Sequence, residues 1–175
     1  MTLAELHAGL AAAHDRLTGA ISGVTEEQFK RRPAATAADP DPWCIAELLA
    51  HLMATERLWA GRIALALREE RATVTPSAPE AHEEGARAGR RAPVPQLIHG
   101  LLAARREVEK SLEVIDESAL RRSVWHPRLN ESLTVEWMVR EKVIGHANEH
   151  AEQVERLRSL VGAAPRSLED SSEER

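Results

Sequence analysis

The segment that decides the fold is residues 133–160, LTVEWMVREKVIGHANEHAEQVERLRSL. Its apolar residues recur at alternating spacings of three and four, which predicts an amphipathic helix. His146 and His150 fall in step with these residues, so both imidazoles should face the inside of the fold. Side chains four residues apart on a helix have Cβ atoms about 5–6 Å apart, close enough for two ring nitrogens to bind one metal ion. Two buried histidines satisfied by neighbouring groups would show the same spacing.

A third histidine, His51, lies in a second amphipathic segment, residues 42–68. Apolar residues surround it at helical spacing, among them Leu48, Leu52, Leu58 and Trp59. An imidazole without a partner is costly on or beside an apolar stripe. Three such histidines on two helices indicate one shared site.

These two segments together resemble the DinB superfamily, which includes YfiT-like and mycothiol-dependent proteins. The resemblance spans about residues 1–160. It rests on Trp-x-Ile-Ala-Glu-x-x-x-His-Leu at residues 43–52 and on His-x-x-x-His at residues 146–150. It implies a four-helix bundle that binds a divalent metal ion, such as zinc, nickel or iron, through one histidine of the second helix and two of the fourth. Carried over to this chain, the metal ligands are His51, His146 and His150.

Composition favours an all-α protein with one domain. The 175 residues are rich in the strong helix formers Ala, Leu, Glu and Arg and include one Phe and no Tyr. We expect a DinB/YfiT-like four-helix bundle over residues 1–162, followed by a disordered acidic tail over residues 163–175. A single cysteine and the absence of an apolar leader predict a cytoplasmic location.

Charge and hydropathy limit the partners that we expect. The formal net charge is −5 and arginines alternate with glutamates, so nucleic acid is not an expected partner. No apolar run approaches the roughly 18–20 residues that cross a bilayer, which argues against a membrane protein. A small-molecule substrate is the expected partner, and the resemblance implies pairing into a homodimer through helix faces.

Four helices are predicted near residues 2–22, 42–68, 94–116 and 134–161. Thr2, with Glu5 three residues later, is a suitable first cap, and Asp41 followed by Pro42 predicts the start of the second helix. Three connectors are predicted between the helices, at residues 26–42, 69–92 and 117–133. The second should be solvated and mobile, and the third should form a short hairpin or an extended crossing. Trp125 in that third connector should plug one end of the bundle.

Several other polar residues are candidates for lesser roles. Glu47, one turn before His51, either orients that imidazole or is a solvated glutamate. Cys44 is expected to be a small buried residue, although a redox or metal role is an alternative. Glu149 completes a His-x-x-Glu-His pattern of zinc proteases, but only 25 residues follow, too few for the further ligand of that family, so Glu149 should either point outward or support a ligand. His14 is expected at the core boundary and His82 in solvent.

A site with three histidine ligands leaves coordination positions open, which is typical of catalytic rather than structural metal sites. The resemblance implies a thiol-dependent S-transferase or isomerase that uses mycothiol or bacillithiol as co-substrate. A metal-dependent hydrolase is the alternative reaction, because a metal also lowers the pKa of bound water. A non-enzymatic, stress-related binding module of the same fold is the third interpretation.

Overall fold

The computed structural model describes residues 1–69, 71–76 and 79–162. The predicted disordered tail, residues 163–175, lies outside these described residues. The helices, in chain order, are α1 (Leu3–Ile21), α2 (Glu26–Lys30), α3 (Ile45–Arg68), α4 (Pro79–Gly89), α5 (Val94–Glu113), a 3₁₀ turn (Ala119–Arg121), α6 (Val135–Trp137), a π-helical segment (Met138–Gly145) and α7 (His146–Leu160). Two antiparallel strands, β1 (Ser123–His126) and β2 (Glu131–Thr134), precede α6.

The predicted four-helix bundle is confirmed. Helix α3 packs against α5, and α1 packs against α7, which continues from α6 and the π-helical segment without a break. The stripes predicted to face inward supply most of the core, including the buried residues Leu6, Leu10, Leu48, Leu52, Ile63, Val108, Leu112, Val139, Val143 and Val154. None of the helices in the described part of the chain is long and apolar enough to cross a membrane.

Three of the four predicted helix starts agree with the structure, and one differs. Thr2 caps α1 in a box with Glu5, as predicted, and α5 begins at Val94. Thr134, predicted as the start of the last helix, caps α6. The predicted cap of the second long helix, Asp41, is wrong, because α3 begins at Ile45 with Cys44 as its cap. The reason is that Glu47 accepts a hydrogen bond from the Cys44 N–H at 2.9 Å, which satisfies a donor at the helix start.

Two of the predicted connectors contain helices. Residues 26–42 include α2, which Thr25 and Gln28 start with a capping box. Residues 69–92 include α4, so the prediction of a mobile, solvated connection is wrong for that part. Helix α4 packs on α3 through small residues: Ala86 is fully buried, and a Cβ added at Gly89 would lie 2.8 Å from the Ala46 carbonyl oxygen. Because small residues make this contact, the sequence of α4 has no periodic stripe of large apolar residues.

The third connector forms the short hairpin that was one of its two predicted forms. Val124 and Leu133 pair across the two strands and are buried on the inner face of the hairpin. Trp125 points the other way and retains 39% of its surface exposed, so its predicted role as a plug of the bundle is wrong.

Candidate metal centre

The histidine cluster, defined as His51, His146 and His150, lies between α3 and the last helix. His51 is in the second turn of α3, and His146 and His150 are in the first two turns of α7. The Nε2 atom of His146 is 3.3 Å from Nε2 of His51 and 2.9 Å from Nε2 of His150. The structure therefore brings together the three residues named as ligands from the sequence, each through the same ring nitrogen.

The spacing of these nitrogens suits a shared metal ion. Two imidazole nitrogens that each lie about 2.1 Å from one ion, in tetrahedral or octahedral geometry, are about 3.0–3.4 Å apart. The ring nitrogens of all three histidines lie within 4.8 Å of one another, and each residue is half-buried. The cluster thus has the distances, the atoms and the shielding of a three-histidine metal site.

The second ring nitrogens of two histidines in the cluster have no hydrogen-bond partner in the described part of the chain. A neutral imidazole carries one proton, on Nδ1 or on Nε2. The Nδ1 atoms of His51 and His146 are buried and have no partner among the described residues. If Nε2 of each ring faces a shared ion, the proton of each neutral imidazole lies on Nδ1, where His150 has an acceptor and His51 and His146 have none among the described residues. The feature that fits a shared cation is therefore the convergence of the three Nε2 lone pairs.

Burial keeps these imidazoles neutral. Desolvation, together with the nearby His150, lowers the pKa of His51 to about 4, and the same two causes lower the pKa of His146 to about 3. Burial also lowers the pKa of His150, although Gln153 and Glu149 act in the opposite direction. The three nitrogen lone pairs are consequently available at neutral pH.

Two residues that the sequence analysis missed as site groups hold the ligand rings. The Nδ1 atom of His150 lies 3.0 Å from Oε1 of Gln153, which accepts its proton and leaves the Nε2 lone pair free. The indole of Trp43 lies against His51, with 5.2 Å between ring centroids. The sequence signal for Gln153 is its position three residues after a ligand on the same helix.

Glu47 does neither of the two things expected of it. It is fully buried, and it forms an ion pair with Arg32 as well as accepting the Cys44 N–H. Since the His51 Nδ1 atom has no partner among the described residues, the prediction that Glu47 orients His51 is wrong. Cys44 is fully buried and its pKa is raised, chiefly by burial, in agreement with the small buried residue expected.

The remaining candidates lie outside the histidine cluster. Glu149 is exposed, which is one of its two predicted positions, and only its charge reaches the site. His14 is half-buried and lines a cavity between α1 and α5 with His99. His82 is half-buried on α4 rather than in solvent, and its charge contributes to the lowered pKa of His51.

The fold and the site define a helical bundle with a three-histidine metal-type centre between its second and last long helices. The sequence profile of the DinB superfamily matches residues 9–154, and the chain belongs to that superfamily. No curated protein sequence matches the chain.

Two solved structures share the fold. YfiT from Bacillus subtilis, described as a probable metal-dependent hydrolase with an unusual four-helix bundle topology, is 18% identical, with a TM-score of 0.77 over 93% of this chain and 89% of that one. An uncharacterised protein from Escherichia coli UTI89 is 12% identical, with a TM-score of 0.73 over 93% of this chain and 96% of that one. At these identities the likeness concerns the fold alone.

Proposed function

We propose that this protein is a metal-dependent enzyme in which His51, His146 and His150 bind one divalent ion, zinc, nickel or iron. We further propose that its co-substrate is a low-molecular-weight thiol, mycothiol or bacillithiol, in an S-transfer or isomerisation reaction. The observation that carries the proposal is the convergence of three Nε2 atoms: 3.3 Å separates those of His51 and His146, and 2.9 Å separates those of His146 and His150.

The neutral charge of the three ligand groups supports a thiol as the co-substrate. All three ligand groups are neutral imidazoles, and among the described residues no carboxylate belongs to the cluster. A bound divalent cation would act there as a Lewis acid on a ligand that can lose a proton. A thiol has a pKa near 8.5 and water has a pKa of about 15.7, so a thiol loses its proton more readily. The protein supplies the three lone pairs, the Gln153 contact that orients His150, and the Trp43 ring beside His51.

Hydrolysis is the second candidate, because YfiT, which shares the fold over 93% of this chain, is described as a probable metal-dependent hydrolase. A hydrolase needs a group that takes a proton from the attacking water. Glu149 is exposed rather than in the cluster, and His82 on α4 is the titratable group whose charge also reaches His51. The cytoplasmic location, the homodimer and the small-molecule substrate also remain predictions.

The test is a titration of the cobalt-substituted protein with mycothiol, bacillithiol and glutathione, in which the visible absorption of cobalt is measured after each addition. Mycothiol or bacillithiol should change the cobalt spectrum at lower concentration than glutathione does. The variant His14→Ala, which removes a half-buried histidine outside the cluster, should behave as the wild type, whereas His51→Ala should give no cobalt spectrum.

Other outcomes favour the other interpretations. Turnover of a simple ester or amide, with a pH dependence near the metal-water pKa of about 7 and no response to thiols, would make the protein a hydrolase. If the metal site is fully occupied, and neither a spectral response to thiols nor turnover of an ester or amide is observed, the protein is a binding module.

A further inference from the structure

A second cavity, of about 500 Å³, lies at the end of the bundle away from the histidine cluster. It opens between the C-terminal end of α3, at Ala66, and the outer face of the hairpin, at Trp125. Ala66 is 15 residues beyond His51 on one helix, which corresponds to about 22 Å. The cavity is therefore separate from the proposed metal centre, and its own lining residues determine which ligand it could bind.

The charges around this cavity, here named the arginine cavity, are mostly positive. It is lined by Arg71, Arg121 and Arg122 and by one acidic residue, Glu69, which is already paired with Arg68 at 2.9 Å. In a chain with a formal net charge of −5, these three arginines concentrate positive charge on one concave surface.

Two of these guanidinium groups are free to bind a ligand. The side chains of Arg71 and Arg121 make no hydrogen bond or ion pair to the other described residues. Asp116 is near enough to Arg121 to interact with it by charge, but its carboxylate already accepts hydrogen bonds from Ser118 and Ala119. Arg122 is held in place by a 2.9 Å bond from Nε to the Ala66 carbonyl oxygen.

An aromatic ring forms another wall of the arginine cavity. The backbone of Trp125 is fixed on both sides: Trp125 pairs with Ser132 in the hairpin, donates to the Ala72 carbonyl at 2.8 Å and accepts from the Val74 N–H at 3.0 Å. Its side chain nevertheless remains 39% exposed, between the buried neighbours Val124 and His126. A large, partly exposed ring on a fixed backbone at a cavity wall offers a stacking surface for a flat ligand.

The backbone of Arg71 has an unusual conformation. Its φ is +58°, in the left-handed region, where a residue with a Cβ is strained and Gly or Asn is favoured. Strained backbone of this kind is concentrated at binding sites. An arginine at this position places a guanidinium in the cavity despite the local strain.

We propose that the arginine cavity binds an aromatic organic phosphate no larger than a mononucleotide. The phosphate would be bound by Arg71 and Arg121, since a guanidinium group can donate two parallel hydrogen bonds to two phosphate oxygens. The flat ring would stack on Trp125, and the hydroxyls of Ser123 and Ser132, which share the outer face of the hairpin with that indole, would bind polar groups of the ligand.

The experiment titrates the full chain with four probes: 5′-adenosine monophosphate, phenyl phosphate, inorganic phosphate and adenosine. Binding is measured by tryptophan fluorescence and by calorimetry. The two probes that combine a ring with a phosphate should give saturable quenching and bind at least about tenfold more tightly than either half alone, since each half makes only part of the contacts. Benzoate serves as a further probe, and equal binding of benzoate and phenyl phosphate would overturn the choice of phosphate.

Three variants test the named residues. Arg121→Ala and Arg71→Gly should each weaken phenyl phosphate binding about tenfold, since each removes charge-assisted hydrogen bonds. Trp125→Leu should abolish the fluorescence response and weaken the calorimetric binding. Arg71→Gly relieves the strained φ, so the fold should be retained in that variant, and circular dichroism checks this.

Two matched controls complete the design. Arg91→Ala removes an exposed arginine outside the cavity, and His51→Ala removes a residue of the histidine cluster; neither should change phenyl phosphate binding. Unchanged affinity in both Arg121→Ala and Arg71→Gly, or no calorimetric binding of either aromatic phosphate to the wild type, would overturn the proposal.

Discussion

Two of the polar groups between the helices, an ion pair and the histidine cluster, differ in how completely their hydrogen bonds are satisfied. Glu56 and Arg105 form an ion pair in which both side chains are almost fully buried, at 0% and 3% exposed. Nε of Arg105 donates to Glu56 at 2.9 Å, and Nη1 donates to the Leu10 carbonyl at 3.2 Å. This pair joins α1, α3 and α5 with its hydrogen bonds made. The histidine cluster, one to two turns away on α3, leaves two Nδ1 atoms unpartnered among the described residues.

The difference separates a structural group from a binding group. A buried ion pair with its hydrogen bonds made is complete within the protein, and removing one member leaves an uncompensated charge. A cluster of neutral imidazoles whose Nε2 atoms converge offers lone pairs that one cation can share. Variants at the two places should therefore affect different properties: the ion pair should control folding, and the cluster should control metal affinity.

The largest expected effect is on folding. Glu56→Ala should lower the free energy of unfolding by about 3–5 kcal/mol, because Arg105 would remain buried without its carboxylate. Urea denaturation of the metal-free protein measures this. Glu152→Ala, which removes the exposed partner of Arg16 at 3.2 Å, is the control and should change stability by about 0–1 kcal/mol. A loss below about 1 kcal/mol for Glu56→Ala would mean that the pair is not the structural group described here.

A smaller effect is expected on metal affinity when the support of a ligand is removed. Gln153→Leu should weaken divalent metal binding about 10–100-fold, because His150 loses the acceptor that fixes its Nδ1 proton. Stability of the metal-free protein should change little. Gln153→Glu keeps an acceptor and should retain tight binding, and Gln96→Leu at an exposed position of α5 should have no effect. Equal metal affinities in Gln153→Leu and the wild type would contradict the supporting role.

These two regions also show how far the sequence could predict the molecule. The four long helices and the three histidines follow from periodicity, because large apolar residues and imidazoles repeat at helical spacing in residues 133–160 and around His51. Helix α4 could not be predicted in that way, since its contact with α3 depends on Ala86 and Gly89, whose small size is visible only against a neighbour.

The roles of single polar residues were the least predictable. Spacing put Glu47 one turn from His51, but a partner distant in sequence, Arg32, and the start of α3 decide where its carboxylate points. The π-helical segment, Met138–Gly145, was also missed, because its apolar residues satisfy an α-helical pattern as well. Competition between local spacing and a long-range partner explains the error at Glu47.

The smallest effect expected is on the pH dependence of stability. In the metal-free folded protein the pKa values of His51 and His146 are about 4 and about 3, below the usual value of 6.5. Between these lowered pKa values and pH 6.5, the unfolded chain therefore binds more protons than the folded chain. The free energy of unfolding is highest above pH 6.5 and decreases as the pH falls toward 4. From pH 7 to 6 the loss due to these two residues should be about 1 kcal/mol.

Urea denaturation at several pH values compares the wild type with the double variant His51→Gln, His146→Gln. The variant should lose less stability on acidification than the wild type. His99→Gln, at an exposed histidine, should keep the wild-type dependence. An identical pH dependence in the wild type and the double variant would show that these imidazoles are not buried in the neutral form.

The central claim is that the histidine cluster is a metal site, and the most direct measurement is the metal content and X-ray absorption of the purified chain and of His51→Ala. We predict one divalent ion per wild-type chain, with three imidazole nitrogens at about 2.0–2.1 Å, and almost none in His51→Ala, which should remain helical by circular dichroism. If His51→Ala retains its metal, or if the wild-type ion has no imidazole ligands, then the three histidines do not form the site.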